Sequence, residues 1–590
     1  MKKVFGLMLF MAICVCGFAQ TAEELNKKAT AHWEKGEHSQ AADLWQRGAE
    51  MGDAECQDNY GGCYLYGAGR TQDYKIAMEW FRKSAAQNFA EGQRDVGYMY
   101  HYGLGVTQNY QTALEWYRKA TAQGNAHAER NMGLLYYTGS GVPQNYEQAA
   151  LWFRKAADHG DYEAQYDMGN IFYSGQGVAQ NYSEAAEWYR KAADQDYREA
   201  QNALGNMYYR GDGVSQNYTE ALKWYRKAAE NNYWWAEYNI GEMYYNGVGV
   251  TKNYEEAFKW YKRAADRNLG EAQNKLGVMY ATGDGVSKNN VEAVKWYRKS
   301  AENNYVWGQY NLAQKYYYGD GVTQSYEEAF KWCKKAADLG LAMAQNWLGV
   351  MYKKGEGVTQ NDEEAVKWYR KAAENNSEWG AYNLGYMYYN GKGVKRSEEE
   401  AYKWYKKAAD KGLAAAQREI GELYKYGWGG LPKSFNKAKE WYMKAIEQGD
   451  AQAQFELGYA YMDNEAMDKK IRYTEFLKWA RKSADNGYGR ALLWMGTIYD
   501  GKEPEFEEMG LVKRNYKTAV SFYLKIENKS ADIIDKIIEC YVEEAKLVKG
   551  KNEKEFVECL SEAEKWIDEL EKIDERKATV ARIYTLGQLK

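Results

Sequence analysis

The sequence predicts an all-α chain, a solenoid of about a dozen 36-residue helix-turn-helix repeats. Tryptophan recurs at Trp80, Trp116, Trp152, Trp188, Trp224, Trp260, Trp296, Trp332, Trp368 and Trp404, each 36 residues after the last. Glycine keeps the same period at Gly61, Gly97, Gly133, Gly169, Gly205, Gly241 and Gly277, gives way to Ala313, and resumes at Gly349, Gly385 and Gly421. Within each period the small and apolar residues fall at helical rather than alternating spacing. Only 3 prolines occur in 590 residues. A single core rarely grows to that length, whereas a stack of small units does so readily.

Taken from the N-terminus, residues 1–19 read as a secretory signal peptide: Lys2 and Lys3, an apolar run from Val4 to Val15, then Gly17 and Ala19 at the cleavage-determining positions. Cleavage is expected after Ala19 and the mature protein is expected to be exported, periplasmic or secreted. Cys14 and Cys16 raise a lipid-anchor alternative, disfavoured because Ile13 and Val15 before them are large. No later stretch approaches the roughly 20 apolar residues of a membrane span. Residues 20–53, with Ala29, Trp33, Gly36, Ala41, Ala42 and Trp45, read as an N-terminal capping helix pair. The repeat array is placed at 54–526, with small insertions at Asp463 to Arg472 and Lys502 to Lys513, and a C-terminal helical cap at 527–590, where Ile534, Ile537, Ile538, Tyr541, Ala545 and Val548 form an amphipathic pattern.

One unit shows how the period becomes structure. Ala128, Met132, Gly133 and Tyr136 define one face of a first helix, the A helix. Gly139-Ser140-Gly141-Val142 ends it, because glycine reaches the left-handed conformation without steric cost. Asn145 followed by Gln148 is a capping-box pattern that starts a B helix, whose apolar stripe is Ala149, Trp152, Phe153 and Ala156. Asn109, Asn181, Asn217 and Asn253 take the same cap position, followed three residues on by Thr112, Glu184, Glu220 and Glu256.

This unit resembles the Sel-1-like repeat, a relative of the tetratricopeptide repeat, in Met132-Gly133, Tyr136, Gly139-Ser140-Gly141-Val142 and Ala149-Ala150-Leu151-Trp152-Phe153-Arg154-Lys155-Ala156-Ala157. The resemblance covers about residues 54 to 500. It implies a right-handed α-solenoid used as an adaptor or scaffold, with no common ligand.

A second period points to a working surface. Ala229-Glu230-Asn231-Asn232, Ala301-Glu302-Asn303-Asn304 and Ala373-Glu374-Asn375-Asn376 recur every 72 residues. Each precedes its own set: Trp235, Tyr238, Asn239 and Tyr245; Trp307, Tyr310, Asn311 and Tyr317; Trp379, Tyr382, Asn383 and Tyr389. At 100° per residue the Trp, first Tyr and last Tyr of a set fall within about 80° of one another, opposite the core stripe. They form an aromatic stripe, either a binding groove lined by A helices, with the asparagines free to bond a peptide backbone, or packing between neighbouring A helices. The chain carries 22 tryptophans, 56 tyrosines and 15 phenylalanines, of which the recurrent structural slots absorb roughly half, and surplus amphipathic aromatics suit protein or peptide recognition. Glycan binding by ring stacking is the alternative.

Catalysis, cofactors and metals find little in the sequence. His32, His38, His101, His127 and His159 share no ligand spacing and are expected to be solvated. Cys56, Cys63, Cys333, Cys540 and Cys559 read as buried small residues. Glycine pairs such as Gly211 and Gly213, or Gly283 and Gly285, lack the Gly-Lys-Ser/Thr of a phosphate loop. Some cysteine-rich members of the repeat family are penicillin binders or β-lactamases; here Ser434 and Lys437 match a Ser-x-x-Lys spacing without the accompanying elements, a minor alternative. The Lys-Trp-Tyr-Arg-Lys runs near B-helix ends read as solvated faces. A net charge of -4, or -6 once Lys2 and Lys3 leave with the leader, offers nucleic acid no attractive field.

Overall fold

The chain is described by a computed structural model covering residues 21–589; the stretch expected to be a signal peptide, with Cys14 and Cys16, lies outside the described residues. These form 32 helices and no strand, arranged as the successive hairpins of an α-solenoid. No helix among the described residues is long and apolar enough to cross a membrane. Two compact units divide the chain, one ending at Asn289 and the other starting at Asn290.

The hairpin of Ala126–Thr138 and Tyr146–Asp158 shows why the repeat folds as it does. Asn125 caps the A helix by accepting from the Ala128 amide at 2.8 Å. Gly139 closes it at φ 75°, in the left-handed region. Asn145 caps the B helix, accepting from the Gln148 amide at 3.0 Å. The reciprocal half of the expected capping box is not what satisfies the cap's own amide: Asn145 N–H donates to the Tyr136 carbonyl at 2.9 Å, and Asn109, Asn181, Asn217 and Asn253 do the same to residues nine earlier. The second helix is thus tied to the first through the turn itself. Gly141, at φ 73°, has a further role, since a Cβ there would lie 2.5 Å from Tyr110 Cβ in the preceding repeat. The second glycine of each turn is the seat on which the previous B helix begins.

Within the hairpin, Ala128, Met132, Gly133, Ala149, Phe153 and Ala156 are buried, joined by Leu135 and Ala157, while Tyr136 and Trp152 are half-buried. A Cβ on Gly133 would lie 2.5 Å from the Phe153 ring, so the glycine row exists to admit the aromatic ring twenty residues on. The same pairing joins Gly97 to Tyr117, Gly169 to Tyr189, Gly205 to Tyr225 and Gly385 to Tyr405. In these repeats the deepest ring is therefore the residue after the ladder tryptophan. Trp188, Trp224 and Trp368 are buried as well, but Trp80, Trp116 and Trp260 keep one face outward.

The basic runs are exposed, as expected, and their cations also cover the indoles. The cation three residues after each ladder tryptophan lies over its ring: Lys83 on Trp80 at 3.7 Å, Lys119 on Trp116 at 3.9 Å, Lys191 on Trp188 at 3.7 Å, Arg263 on Trp260 at 4.6 Å and Lys371 on Trp368 at 4.0 Å. One helical turn separates the two, so the ammonium covers the indole while its stem shields it from water. The arginine two residues after the tryptophan reaches the next A helix: Arg82 donates to the Tyr100 hydroxyl at 2.7 Å, and Arg370 to that of Tyr388 at 2.7 Å.

Before the array, Ala22–Glu34 and His38–Glu50 pack around Ala29, Ala41, Ala42 and Trp45. After it, Ala531–Val548, Glu553–Glu571 and Glu575–Leu589 close on Ile534, Ile538, Val542, Ala563 and Ile567. The two expected loose insertions are largely ordered: Lys469 to Arg472 extend a 17-residue B helix, and Pro504–Glu508 is a short helix whose Phe506 packs against Phe476 with ring centroids 5.9 Å apart.

Candidate functional site

The three tryptophans of the aromatic sets are the second residues of their A helices, Trp234–Asn246, Val306–Tyr318 and Glu378–Asn390. They remain 37%, 39% and 47% exposed for Trp235, Trp307 and Trp379. Each is braced in the same way, edge-on against the tyrosine three residues later: Trp235 and Tyr238 at 6.0 Å and 86°, Trp307 and Tyr310 at 6.1 Å and 88°, Trp379 and Tyr382 at 5.7 Å and 84°. Edge-to-face contact fixes the indole's rotamer while leaving its face open. A pre-set aromatic surface loses little side-chain entropy on binding.

The other members of the sets face inward. Tyr238 and Tyr382 rest on Tyr261 and Tyr405, both at 5.6 Å. Tyr245 and Tyr317 donate to carboxylates of the following repeat, Asp284 at 2.9 Å and Glu356 at 3.0 Å, and Tyr389 packs 6.0 Å from Trp428. Burial, and next the carboxylate partner, push the phenols of Tyr245 and Tyr317 up to about 12, so both remain donors at neutral pH. Asn239 and Asn383 donate to Asn202 and Asn346 of the preceding A helix at 2.9 and 2.8 Å, and Asn311 occupies the corresponding place in its repeat. Asn239 and Asn383 accordingly stitch neighbouring A helices together rather than standing free, and the tryptophans carry the accessible surface.

In the second unit the stripe is broader than the 72-residue period suggested. A depression of about 610 Å³ crosses three successive A helices, lined by Tyr310, Gln314 and Tyr318, by Met343, Asn346, Trp347 and Val350, and by Trp379. Met343 and Tyr318 are 51% and 65% exposed. Trp347 closes the floor, 5.5 Å from Tyr310 and 5.4 Å from Tyr317. Met343 and Trp347 belong to the intervening repeat, at the register positions of Trp307 and Asn311. Comparing every repeat at 36 residues, instead of alternate ones at 72, exposes them.

In earlier repeats of the first unit the register positions of Tyr238 and Asn239 are polar. Arg130 pairs with Glu163 at 2.6 Å and Asp167 at 2.7 Å, and Arg94 with Asp95 at 3.0 Å. Burial, opposed by Arg130, raises Asp167 to about 6. Burial, and then repulsion from Asp95, pushes Asp58 well above the carboxylate range.

The remaining sequence candidates resolve locally. His101 is buried, not solvated: it stacks on Tyr102 at 4.4 Å, meets the Tyr117 hydroxyl at 3.3 Å, and burial lowers its pKa. His127 and His159 pair with the shielded carboxylates of Asp161 and Glu129 at 2.7 and 2.8 Å, and His32 with Glu37. Cys56, Cys63, Cys333, Cys540 and Cys559 are free thiols in the interior. Ser434 caps a B helix, accepting from the Lys437 amide at 3.3 Å, while Lys437 Nζ turns to Glu440 at 3.0 Å. That is a capping serine, with its lysine drawn away from the hydroxyl.

The Sel1 repeat family model matches thirteen segments: 54–89, 90–125, 126–161, 163–197, 198–233, 236–269, 270–305, 308–341, 342–377, 380–413, 414–450, 451–465 and 490–526. The chain belongs to the Sel1 repeat family, whose helical arrays serve generally as scaffolds for protein–protein interaction. Among solved structures it is similar to a protective antigen present in uropathogenic Escherichia coli strains, with 34% identity, a TM-score of 0.50, and coverage of 76% of this chain and 96% of that one. It is also similar to a Sel1 repeat protein from Oxalobacter formigenes, with 29% identity, a TM-score of 0.44, and coverage of 52% and 90%. Comparison with curated proteins gave no match.

Proposed function

We propose that this chain is an exported scaffold that binds a protein or peptide through exposed indoles of its A helices, Trp235 in the first unit and Trp307 and Trp379 in the second. The observation that carries the reading is the repeated, edge-braced and outward-facing indole, a costly residue to leave in water three times over unless something covers it. The inward tyrosines and the asparagine ladder, Tyr238, Tyr310, Tyr382, Tyr245, Tyr317, Tyr389, Asn239, Asn311 and Asn383, hold those indoles in register. Scaffolding is what the family does in general. Export rests on the leader-like sequence of residues 1–19.

The test is capture from envelope extract by the mature protein and by a Trp235→Ala, Trp307→Ala, Trp379→Ala variant that keeps its helical circular dichroism, followed by reconstitution with the purified partner. A protein bound by the wild type and lost by the variant supports the reading. Glycans alone, lost in the same way, would replace it with carbohydrate recognition by ring stacking. Partners retained equally by both proteins would remove the aromatic face from the function.

A further inference from the structure

The depression in the second unit carries a single charge. Glu378 lines it beside Trp379, and every other group on the lining is neutral, from the amides of Gln314, Asn346 and Asn376 to the Ser377 hydroxyl. Glu378 is half-buried and makes no ion pair among the described residues. Lys411 reaches the rim but is committed to Asn376, donating to its carbonyl at 2.7 Å and to its side-chain oxygen at 3.2 Å. The Trp379 indole is likewise uncovered. A ladder tryptophan with an outward face carries a cation from one turn later, as Trp116 carries Lys119 at 3.9 Å. The residue three after Trp379 is instead Tyr382, set edge-on, and among the described residues no cation lies over this indole.

The helix dipole favours an acid in any first turn, but it does not account for the place of this one. A helices elsewhere in the array put the acid at their second residue, as with Glu55, Glu91, Glu163, Glu199 and Glu271. In the three helices of the aromatic sets a tryptophan takes that second place. Trp234–Asn246 and Val306–Tyr318 have apolar first residues, whereas Glu378–Asn390 keeps a carboxylate at its first, on the wall of the depression. Where Glu163 stands, Arg130 of the preceding A helix pairs with it at 2.6 Å. The preceding helix here offers Asn346 at that register position, and its oxygen already accepts from Asn383 at 2.8 Å. An unpaired carboxylate beside an uncovered indole, on an otherwise neutral lining, is complementary to one cation with an apolar neighbour.

We infer that this depression docks an extended peptide segment bearing a basic side chain, its cation between Glu378 and the Trp379 ring and an aliphatic neighbour on Met343 and Val350. The inference rests on the peptide-binding reading above and specifies the ligand's chemistry. Arginine suits the place best, because its planar guanidinium stacks on an indole while bonding a carboxylate. Met343 and Trp379 hold the same register in successive A helices, roughly 8–10 Å apart as packed helices lie, a span that an extended chain covers in about three residues. The aliphatic and basic side chains are therefore that far apart in the ligand.

Synthetic peptides that differ at one residue test it by fluorescence anisotropy: each carries a leucine and, at this spacing, arginine, its uncharged isostere citrulline, or glutamate. The wild-type protein should bind the arginine peptide about fivefold to tenfold more tightly than the citrulline peptide, the scale of an ion pair joined to a cation–π contact, and the glutamate peptide least. Glu378→Gln should shrink that preference, and Glu378→Arg should invert it in favour of glutamate, both with unchanged circular dichroism and melting temperature. Equal binding of all three peptides by the wild type, or an arginine preference that survives Glu378→Arg, overturns the inference and leaves peptide binding standing. No binding of any peptide counts against both.

Discussion

Ala313 and Cys333 exchange size across one hairpin. In the neighbouring repeats a glycine admits an aromatic ring twenty residues later, as Gly349 admits Tyr369 with a would-be Cβ 2.6 Å from the ring. In this repeat the glycine is alanine, the ring is a thiol, and both residues are fully buried. The smaller partner changes what lies above it. Tyr238 and Tyr382 rest on the ring that Cys333 replaces, whereas Tyr310 turns to Trp347 and becomes part of the depression in the second unit.

The exchange predicts strong coupling. Cys333→Tyr alone should overpack against the Ala313 methyl and destabilise by about 1–3 kcal/mol. Adding Ala313→Gly should recover most of that loss, giving a non-additive double-mutant cycle in urea unfolding followed by circular dichroism. Additive effects would show that the two side chains do not share space.

The depth of the ring after the tryptophan predicts an order of severity. Phe153→Ala should cost about 3–5 kcal/mol by the scale of large core truncations, and Trp152→Ala clearly less, because Trp152 is half-buried under Lys155 with the ammonium 4.4 Å from its ring. In an array each loss is felt mainly by the mutated repeat and its neighbours, so amide exchange around residues 126–161 is the direct reading. The opposite order would reassign the keystone of the repeat to the ladder tryptophan.

His127 and Asp161 predict a pH window. The hydrogen bond to Asp161 raises the pKa of His127, and the bond from His127, after the opposing cost of burial, leaves Asp161 below the ordinary carboxylate range. The histidine's contribution is complete below its unfolded pKa and fades as pH rises through the raised folded value; the aspartate's holds above the unfolded carboxylate range and fades as pH falls through the lowered one. His127→Gln should therefore lower the melting temperature at about pH 5 more than at about pH 8. A loss independent of pH would mean that the imidazole acts only by packing.

The sequence by itself determined the hairpin, its 36-residue period, the left-handed glycine after each A helix and the asparagine caps. All of these are local: a glycine at φ 75° and an Asn145 side chain reaching the Gln148 amide need nothing beyond a few neighbours along the chain. It also marked Trp235, Trp307 and Trp379, because residues repeated at one helical offset must share a face. Tertiary structure alone decided which aromatics stay in water. Tyr238 and Trp235 are one turn apart with similar side chains, yet one leans on Tyr261 of its own hairpin and the other faces out. It also decided that Asn239 and Asn383 bond the preceding helix, that lysines cover the ladder tryptophans, and that Met343 and Trp347 join the depression in the second unit. The reason is that exposure and charge neutralisation belong to the space between elements, where the neighbour across a gap of a few ångströms is dozens of residues away in the chain.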